Sequence, residues 1–447
     1  MLRLHIEHYR AIASADIELH DLTVLTGVNA SGKSSLVRLL HAVVEGWRNQ
    51  EQLTNRWLIG KTFFPLFKPF FVTFQGRSGW GRLLDVVSPQ FFALLESKSI
   101  SEEMWSSLHE LVKRLFEHLK ERPIGEQKAL RRALADSLKY RECLEDIDLE
   151  KTLAVVQTRM EEAFQDFKRN TSRARLFGQA FRWRYGELFK EADLGAHIRI
   201  SDEENVLAEV GKEVEVHGGQ IFSPNKSFYI EKPSVTIPIL RGDTLQLGED
   251  EYPIGKRNPD TDKIFAVFNQ QRDASSSLSL LLSGDVRAPE HLQRVGLLDW
   301  RYERADHALF ELGVCAEGIK SLASLQILER MGMLDANTLL IIDEPETHLH
   351  PQWIVGCAHA LVELILLYNV RILVTTHSPY MVRALQQAMV KHLEPDRSCI
   401  YLAEAEETEP YRFHFRRLGH DIAPVYRIFN KALDEIAFFE ETAEKTP

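Results

Sequence analysis

Cysteine is scarce in this chain of 447 residues. Cys143, Cys315, Cys357 and Cys399 are scattered and form no CxxC pair. That excludes a disulfide framework and a Cys-based zinc site, and predicts reduced thiols. No apolar run approaches the roughly 20 residues that cross a bilayer. The most apolar stretch, LVELILLYNV at 361–370, is interrupted by Glu363. The opening MLRLHIEHYR lacks the apolar core of a signal peptide. These absences together predict a cytoplasmic protein that makes no use of a membrane. Excess positive charge is missing too: 65 Asp and Glu against 54 Lys and Arg give a net charge of −11. No global basic field advertises nucleic acid. Internal repeats and low-complexity tracts are absent. What is present is an ordinary globular balance, 44% hydrophobic and 27% charged, with ample material for a core. At roughly 100–200 residues per domain the length admits two to four units, or one domain with a large insertion.

Residues 1–83 open with LRLHIEHYR, which alternates as a half-buried strand does, and ADIELHDLTVLTG, which supplies two more strands. A glycine-bearing loop and the helix-spaced SSLVRLLHAVVEG follow. Residues 84–195 change texture. SLHELVKRLFEHLKERP and LEKTLAVVQTRMEEAFQDF carry apolar residues at i, i+3, i+4 and i+7, which predicts a helical insertion without sustained heptads. Within 196–447, HIRISDEENVLAEV, KEVEVHGG and SVTIPIL read as short strands, and 242–275 as loop-rich. A helical segment after Ala316, a strand at NTLLIID, a helix over 353–368, a strand at VRILVTT and a terminal amphipathic helix, YRIFNKALDEIAFFEE, complete the order.

Residues 27–34, GVNASGKS, match G-x-x-x-x-G-K-[ST] between a strand and a helix. Gly27 and Gly32 permit a backbone whose N–H groups turn inward around an anion. Lys33 brings a compact positive charge to the β- and γ-phosphates, and the helix start adds its dipole. Ser34 offers a hydroxyl to Mg²⁺.

TLLIIDEPETHLHP (338–351) is the second anchor. Four consecutive apolar residues predict a strand buried on both faces, as in a parallel sheet. Asp343 at its end lies where open α/β sheets bind ligands, and can hold Mg²⁺ directly or through water. Glu344 is a candidate to polarise the attacking water. VRILVTTHSPY (370–380) repeats the pattern and ends at His377, whose imidazole can reach a γ-phosphate or the nucleophilic water.

In this order the three motifs resemble the ABC-type ATPase heads of the SMC, RecF and OLD group. LRLHIEHYRAIASADIEL is similar to that group's opening strand pair, with Tyr9-Arg10 in the place of its aromatic-Arg. DEPETHLHP and TTHSPY resemble AAA-type ATPases of bacterial anti-phage operons, among them subunits of the PARIS and Septu systems and of some retrons. The resemblance covers about 1–45 and 310–385. It implies an α/β P-loop NTPase fold, an ABC-type head with a parallel core sheet, an N-terminal β-lobe and a helical insertion. It also implies ATP and Mg²⁺ as cofactors, Gly27, Asn29, Ala30, Ser31, Gly32, Lys33, Ser34 and Ser35 around the phosphates, and hydrolysis through Glu344, His377 and Lys33. ATP is sandwiched between two protomers in such heads, which implies a dimer or larger homo-oligomer. The matching signature segment is ELGVCAEGIKSLASLQIL (311–328), with Gly318 as its glycine. The preceding serine is here Ala316, flanked by Cys315 and Glu317, so one γ-phosphate hydrogen bond from the partner is lost. Lys320 or the helix-start N–H groups are candidates to replace it. The metal-binding glutamine of the group falls on Gln75, with Gln90 and Gln220 as alternatives.

About seventy residues follow His377, too few for the nuclease domain of the OLD enzymes plus the closing strands, and AEAEETE (403–409) has no DxD and reads as a solvated loop. The expectation is therefore a nucleotide-gated sensor or scaffold that controls a separately encoded effector in anti-phage defence. A RecF-like DNA-maintenance ATPase and an ATP-holding scaffold with negligible hydrolysis are the alternatives. DNA binding rests on FKRNTSRARLFGQAFRWRYG (167–186), where Lys168, Arg169, Arg173, Arg175, Arg182 and Arg184 interleave with Phe177, Phe181, Trp183 and Tyr185. More often such a stretch is a helical surface whose aromatics enter the core and whose arginines pair with neighbouring acids.

Overall fold

The continuously apolar strands of the sequence become the centre of one large mixed sheet. The structure, a computed structural model, describes residues 1–54, 57, 102–137, 149–169, 173–188, 195–202, 205–210, 214–217, 224–230, 244–247, 250–253, 277–287, 300–428 and 430. Strands β1 (Leu2–Tyr9), β2 (Ile12–Glu18) and β3 (Leu22–Gly27) lead into α1 (Lys33–Arg48). Helices α2 (Glu102–Lys120), α3 (Ile124–Ser137), α4 (Leu149–Arg169) and α5 (Arg173–Tyr185) follow. Next come β4 (His197–Asp202), β5 (Asn205–Val210), β6 (Val214–Val216), β7 (Lys226–Ile230), β8 (Thr244–Leu247) and β9 (Asp250–Pro253). Helix α6 (Ser277–Leu282) precedes β10 (Gly284–Arg287), β11 (Arg301–Arg304) and β12 (Leu309–Glu311). The chain then runs through α7 (Glu317–Arg330), β13 (Thr338–Asp343), α8 (Pro351–Tyr368), β14 (Arg371–Thr376), α9 (Pro379–His392), β15 (Ser398–Ala405) and β16 (Phe413–Gly419).

Eleven strands share the main sheet in the order β6-β5-β4-β1-β2-β16-β15-β3-β14-β13-β7. From β15 to β7 every pairing is parallel. From β6 to β2 every pairing is antiparallel, and β16 joins the two halves, parallel to β2 and antiparallel to β15. The fold is thus an α/β head with a parallel core and an N-terminal β-lobe. Because strand side chains alternate, the parallel strands feed two cores. Val24, Leu340, Ile342, Ile372, Val374 and Leu402 join α7, α8 and α9 on one face. Leu25, Leu339, Ile341, Leu373 and Tyr401 join α1 on the other.

Helix α5 follows the expected core reading of its aromatics: Phe177 and Phe181 are fully buried in the α1 core, with Trp47 edge-on to both at 4.9 and 5.5 Å. Several other sequence expectations are revised. The acidic run at 403–409 does not begin in a loop: β15 continues to Ala405, and Glu404 pairs with Arg416 on β16. The segment 242–275 contains a hairpin, β8–β9. SVTIPIL lies outside the described residues, whereas KSFYI, not singled out from the sequence, is the edge strand β7. The terminal helix is described over 423–428, and most of its predicted length lies outside the described residues. Helix α8, alone among the described residues, has the length and composition of a membrane span. It packs Ile354, Cys357, Leu361 and Ile365 into the sheet core.

Phe181→Ala removes a fully buried ring from that α1–α5 contact and should cost about 3–5 kcal/mol. A urea titration with a lowered midpoint and unchanged slope reports it. A midpoint moved by no more than a surface substitution would mean that α5 is not docked on α1.

Candidate functional site

Between β3 and α1, residues 28–32 form a tight loop. Positive φ at Gly27 (144°), Ala30 (62°) and Gly32 (93°) gives it the backbone signature of an anion nest. Gly32 is required twice over, because a Cβ there would also lie 2.7 Å from Ile12 Cγ1. Helix α1 has no side-chain cap and no acid in its first turn, so its leading N–H groups are left for an anion. Lys33 Nζ folds over the loop and donates to the carbonyls of Gly27 (3.0 Å) and Val28 (2.7 Å) and to Ser31 Oγ (3.2 Å). Burial pushes the Lys33 ammonium below its usual range, while Glu344, Asp343 and Glu346 hold it up. Asn29 and Ala30 are exposed, and the Ser35 hydroxyl accepts from Arg10 Nη1 at 3.3 Å.

Register brings the acids to this loop. Asp343 pairs with Thr375 across β13–β14, Thr376 with Thr26 across β14–β3, and Ala403 with Gly27 across β15–β3. The carboxyl ends of these strands therefore line one rim, the place where α/β sheets take ligands. Ser34 Oγ donates to Asp343 Oδ1 at 3.2 Å across 309 positions of sequence, and the Thr375 hydroxyl donates to the same oxygen. Tyr229 OH donates to Asp343 Oδ2 at 3.1 Å. At Glu344 the chain leaves the strand with φ 55°, and its N–H reaches Thr375 O at 3.0 Å. The left-handed residue breaks the alternation and brings Glu344 Oε1 to His377 Nδ1 at 2.9 Å. Glu346 is buried behind this pair: its Oε1 accepts from Thr376 Oγ1 (2.6 Å) and from the His377 N–H (3.3 Å). Burial holds the Glu346 carboxyl above the usual range, against the lowering effect of the Thr376 hydroxyl.

The structure thus gathers Lys33, Ser34, Asp343, Glu344 and His377. The donor set fits a magnesium nucleotide. One carboxylate beside one hydroxyl leaves places for phosphate oxygens and water. Among the described residues no group of three His, Cys, Asp or Glu forms an all-protein cage, the usual contrast between magnesium and metals held by protein alone. Gln75, Gln90 and Gln220 lie outside the described residues.

Gly318 stands at the start of α7, where a Cβ would meet His348 O at 2.8 Å and Leu349 Cδ2 at 3.0 Å. The helix N-cap is Ala316, with no side-chain hydrogen bond. Lys320 is turned into its own protomer: it is 9% exposed and pairs with Glu317 Oε1 at 2.7 Å. In this conformation α7 does not present Lys320 outward. In the basic tract Arg184 stacks over Tyr185 at 5.6 Å, while the Phe177 and Phe181 rings are in the core.

Sequence reasoning missed Tyr229 and Glu346. Tyr229 had no motif around it, although KSFYI carries the β-branched and aromatic residues of a strand. Glu346 was visible in DEPETH as a third acid, but nothing in the spacing set it apart from a surface carboxylate.

Residues 308–383 match the family model described as "AAA domain, putative AbiEii toxin, Type IV TA system". No curated protein matches the chain. Among solved structures, the SMC head domain from Thermotoga maritima is 11% identical, with 93% of this chain and 98% of that one covered at a TM-score of 0.33. An SMC head bound to the C-terminal winged-helix domain of ScpA is also 11% identical, with 93% and 97% covered at a TM-score of 0.39. The Pyrococcus furiosus SMC head with an extended coiled coil, bound to the C-terminal domain of ScpA, is 11% identical, with 98% and 100% covered at 0.30. Likenesses at these scores decide neither activity nor partner.

Tyr229→Phe deletes only the donor on Asp343 Oδ2. Loss of such an outer contact should raise the magnesium concentration needed for nucleotide binding about tenfold. A magnesium titration of a fluorescent ATP analogue measures this. An unmoved midpoint would show that the phenol does not orient the carboxylate.

Proposed function

We propose that the chain binds and hydrolyses ATP with Mg²⁺ and that this cycle gates a separately encoded effector. The contact between Ser34 and Asp343, with Glu344 against His377 beside it, carries the reading. These groups come from three distant segments, and a phosphate loop facing a strand-end carboxylate is the arrangement that phosphoryl transfer needs.

Each side chain has a task in this scheme. Lys33, whose ammonium lies over the loop against Gly27 O and Val28 O, and the loop N–H groups bind the β- and γ-phosphates. Ser34 and Asp343 hold Mg²⁺, which when bound neutralises charge on the phosphate oxygens. Glu344 orients and deprotonates the attacking water. His377 holds the Glu344 carboxylate from its Nδ1 side and faces the γ-phosphate. Gly318 and the start of α7 meet the nucleotide of a second copy, as in the ATP sandwich of the group that the motifs resemble.

A contact that forms only in the presence of the γ-phosphate is lost on hydrolysis, which biases a two-state interface. The family description over residues 308–383 names a toxin and a toxin–antitoxin system, and this supports an effector partner in defence. The DNA-maintenance alternative is weakened at its aromatic half. Bases cannot stack on Phe177 or Phe181 while these are buried.

Glu344→Gln separates an enzyme from a scaffold. Its turnover should fall about 10²–10⁴-fold, with ATP affinity retained. A phosphate-release assay run beside nucleotide titration reads both. A wild type that binds but never turns over favours the scaffold, and a mutant as fast as wild type removes Glu344 as the base. For the partner, the chain should copurify with a protein encoded beside it, in a complex whose stability changes with Mg-ATP. Salt-sensitive DNA binding that is lost on neutralising Arg182 and Arg184 would argue for maintenance instead.

A further inference from the structure

The DEPETH turn carries one acid that the scheme above leaves without a task. Glu346 is 8% exposed, and its Oε2 is buried with no hydrogen-bond partner. All of its bonding goes through Oε1, to the Thr376 hydroxyl and the His377 N–H. Thr376 Oγ1 in turn accepts from the Ser378 N–H at 3.0 Å, and Ser378 Oγ caps α9 by accepting from Met381 N at 3.4 Å. One carboxylate oxygen therefore fixes three successive residues at the end of β14, His377 at their centre.

The same carboxylate anchors the other member of the pair. Glu344 and Glu346 share a turn closed by Thr347 N to Glu344 O and Leu349 N to Glu346 O, both 3.0 Å. Glu344 sits in the left-handed region, a conformation held by its surroundings rather than by its own preference. Tying Glu346 to Thr376 pins this turn against the strand that presents His377. The imidazole Nδ1 then lies 2.9 Å from Glu344 and 3.9 Å from Glu346.

Stability alone does not explain a polar side chain here. A buried side chain with one polar atom unpaired is a poorer structural solution than an apolar one of similar shape. Burial already drives Glu346 toward its neutral form, which glutamine copies.

We propose that Glu346 is a positioning residue for hydrolysis: it holds the turn bearing Glu344 and the strand end bearing His377 at the separation in which the two meet. The proposal rests on the ATPase reading above and adds a residue to it. It predicts a split between chemistry and binding. Glu346→Ala should lower kcat about 100-fold, the scale of a displacement of about 1 Å at reacting groups. Its affinity for Mg-ATP should stay at the wild-type value, since Lys33, Ser34 and Asp343 are untouched. Glu346→Gln keeps an acceptor for both donors and should restore most of the rate.

The experiment is steady-state phosphate release with each full-length variant, beside equilibrium titration with a fluorescent ATP analogue. Thr376→Val, which deletes the same hydroxyl bond without altering a charge, serves if Glu346→Ala does not fold, and should show the same drop in kcat at unchanged affinity. Wild-type kcat in Glu346→Ala, or equal losses of kcat and affinity, would overturn the proposal and leave the ATPase reading standing. A Glu346→Gln variant as slow as Glu346→Ala would also overturn it, because the hydrogen-bond geometry would then not be the cause. A wild type without turnover overturns the ATPase reading and this proposal with it.

Discussion

The Asp343 carboxylate is the knot of the structure. Three hydroxyls, from Ser34 on α1, Thr375 on β14 and Tyr229 on β7, converge on its two oxygens at the end of β13. Each hydrogen bond to a charged group contributes about 1.5–3 kcal/mol net. Their geometric effect matters more than the sum. They fix the start of the loop helix against the end of a strand 309 residues away, and so place Lys33 among the carboxylates of 343, 344 and 346. Without that tether the phosphate loop would be an anion nest lacking a metal-binding partner.

The tether works because the parallel strands bring their ends to one rim in step. Ile342 pairs with Val374 and both face the core of α7, α8 and α9; Ile341 pairs with Leu373 and both face α1. Both faces of these strands are apolar and buried, so a one-residue slip would exchange the side chains that fill each core and move Asp343 out of level with Thr375. The alignment puts Asp343 level with Thr375, and Gly27 level with Ala403, one strand further on. Position at the site is thus inherited from packing in the sheet.

This division explains what could be read from the sequence. The phosphate loop, Asp343, Glu344 and His377 stood out because each combines an apolar strand with chemistry at its end, and both signals are local. Tyr229 and Glu346 belong to the site only through pairing between strands distant in the chain. Tyr229 lies beside Ile341 by parallel pairing of β7 with β13, an edge position that no local spacing encodes. Strands β15 and β16 were foreseen only as closing strands, since the end of β15, Glu404 and Ala405, falls in the acidic run that reads as a loop. Interleaved arginines and aromatics in α5 were legible as a pattern but not as a placement. Burial of Phe177 and Phe181 depends on Trp47, some 130 residues earlier.

The turn after Asp343 also bears on the rest of the head. It begins at Glu344, against His377, and reaches His348, a second left-handed residue with φ 65°. There the carbonyl of His348 approaches α7 so closely that position 318 has no room for a side chain. A packed interior transmits displacement rather than absorbing it. The turn is held at Glu346 on one side and abuts the start of α7 on the other, so Glu344 cannot shift far without moving one of the two. In the ATP-gated reading, the residue that meets the water and the helix that meets the second copy are therefore joined by five residues of constrained backbone. Gly318 is needed for this close approach within one protomer.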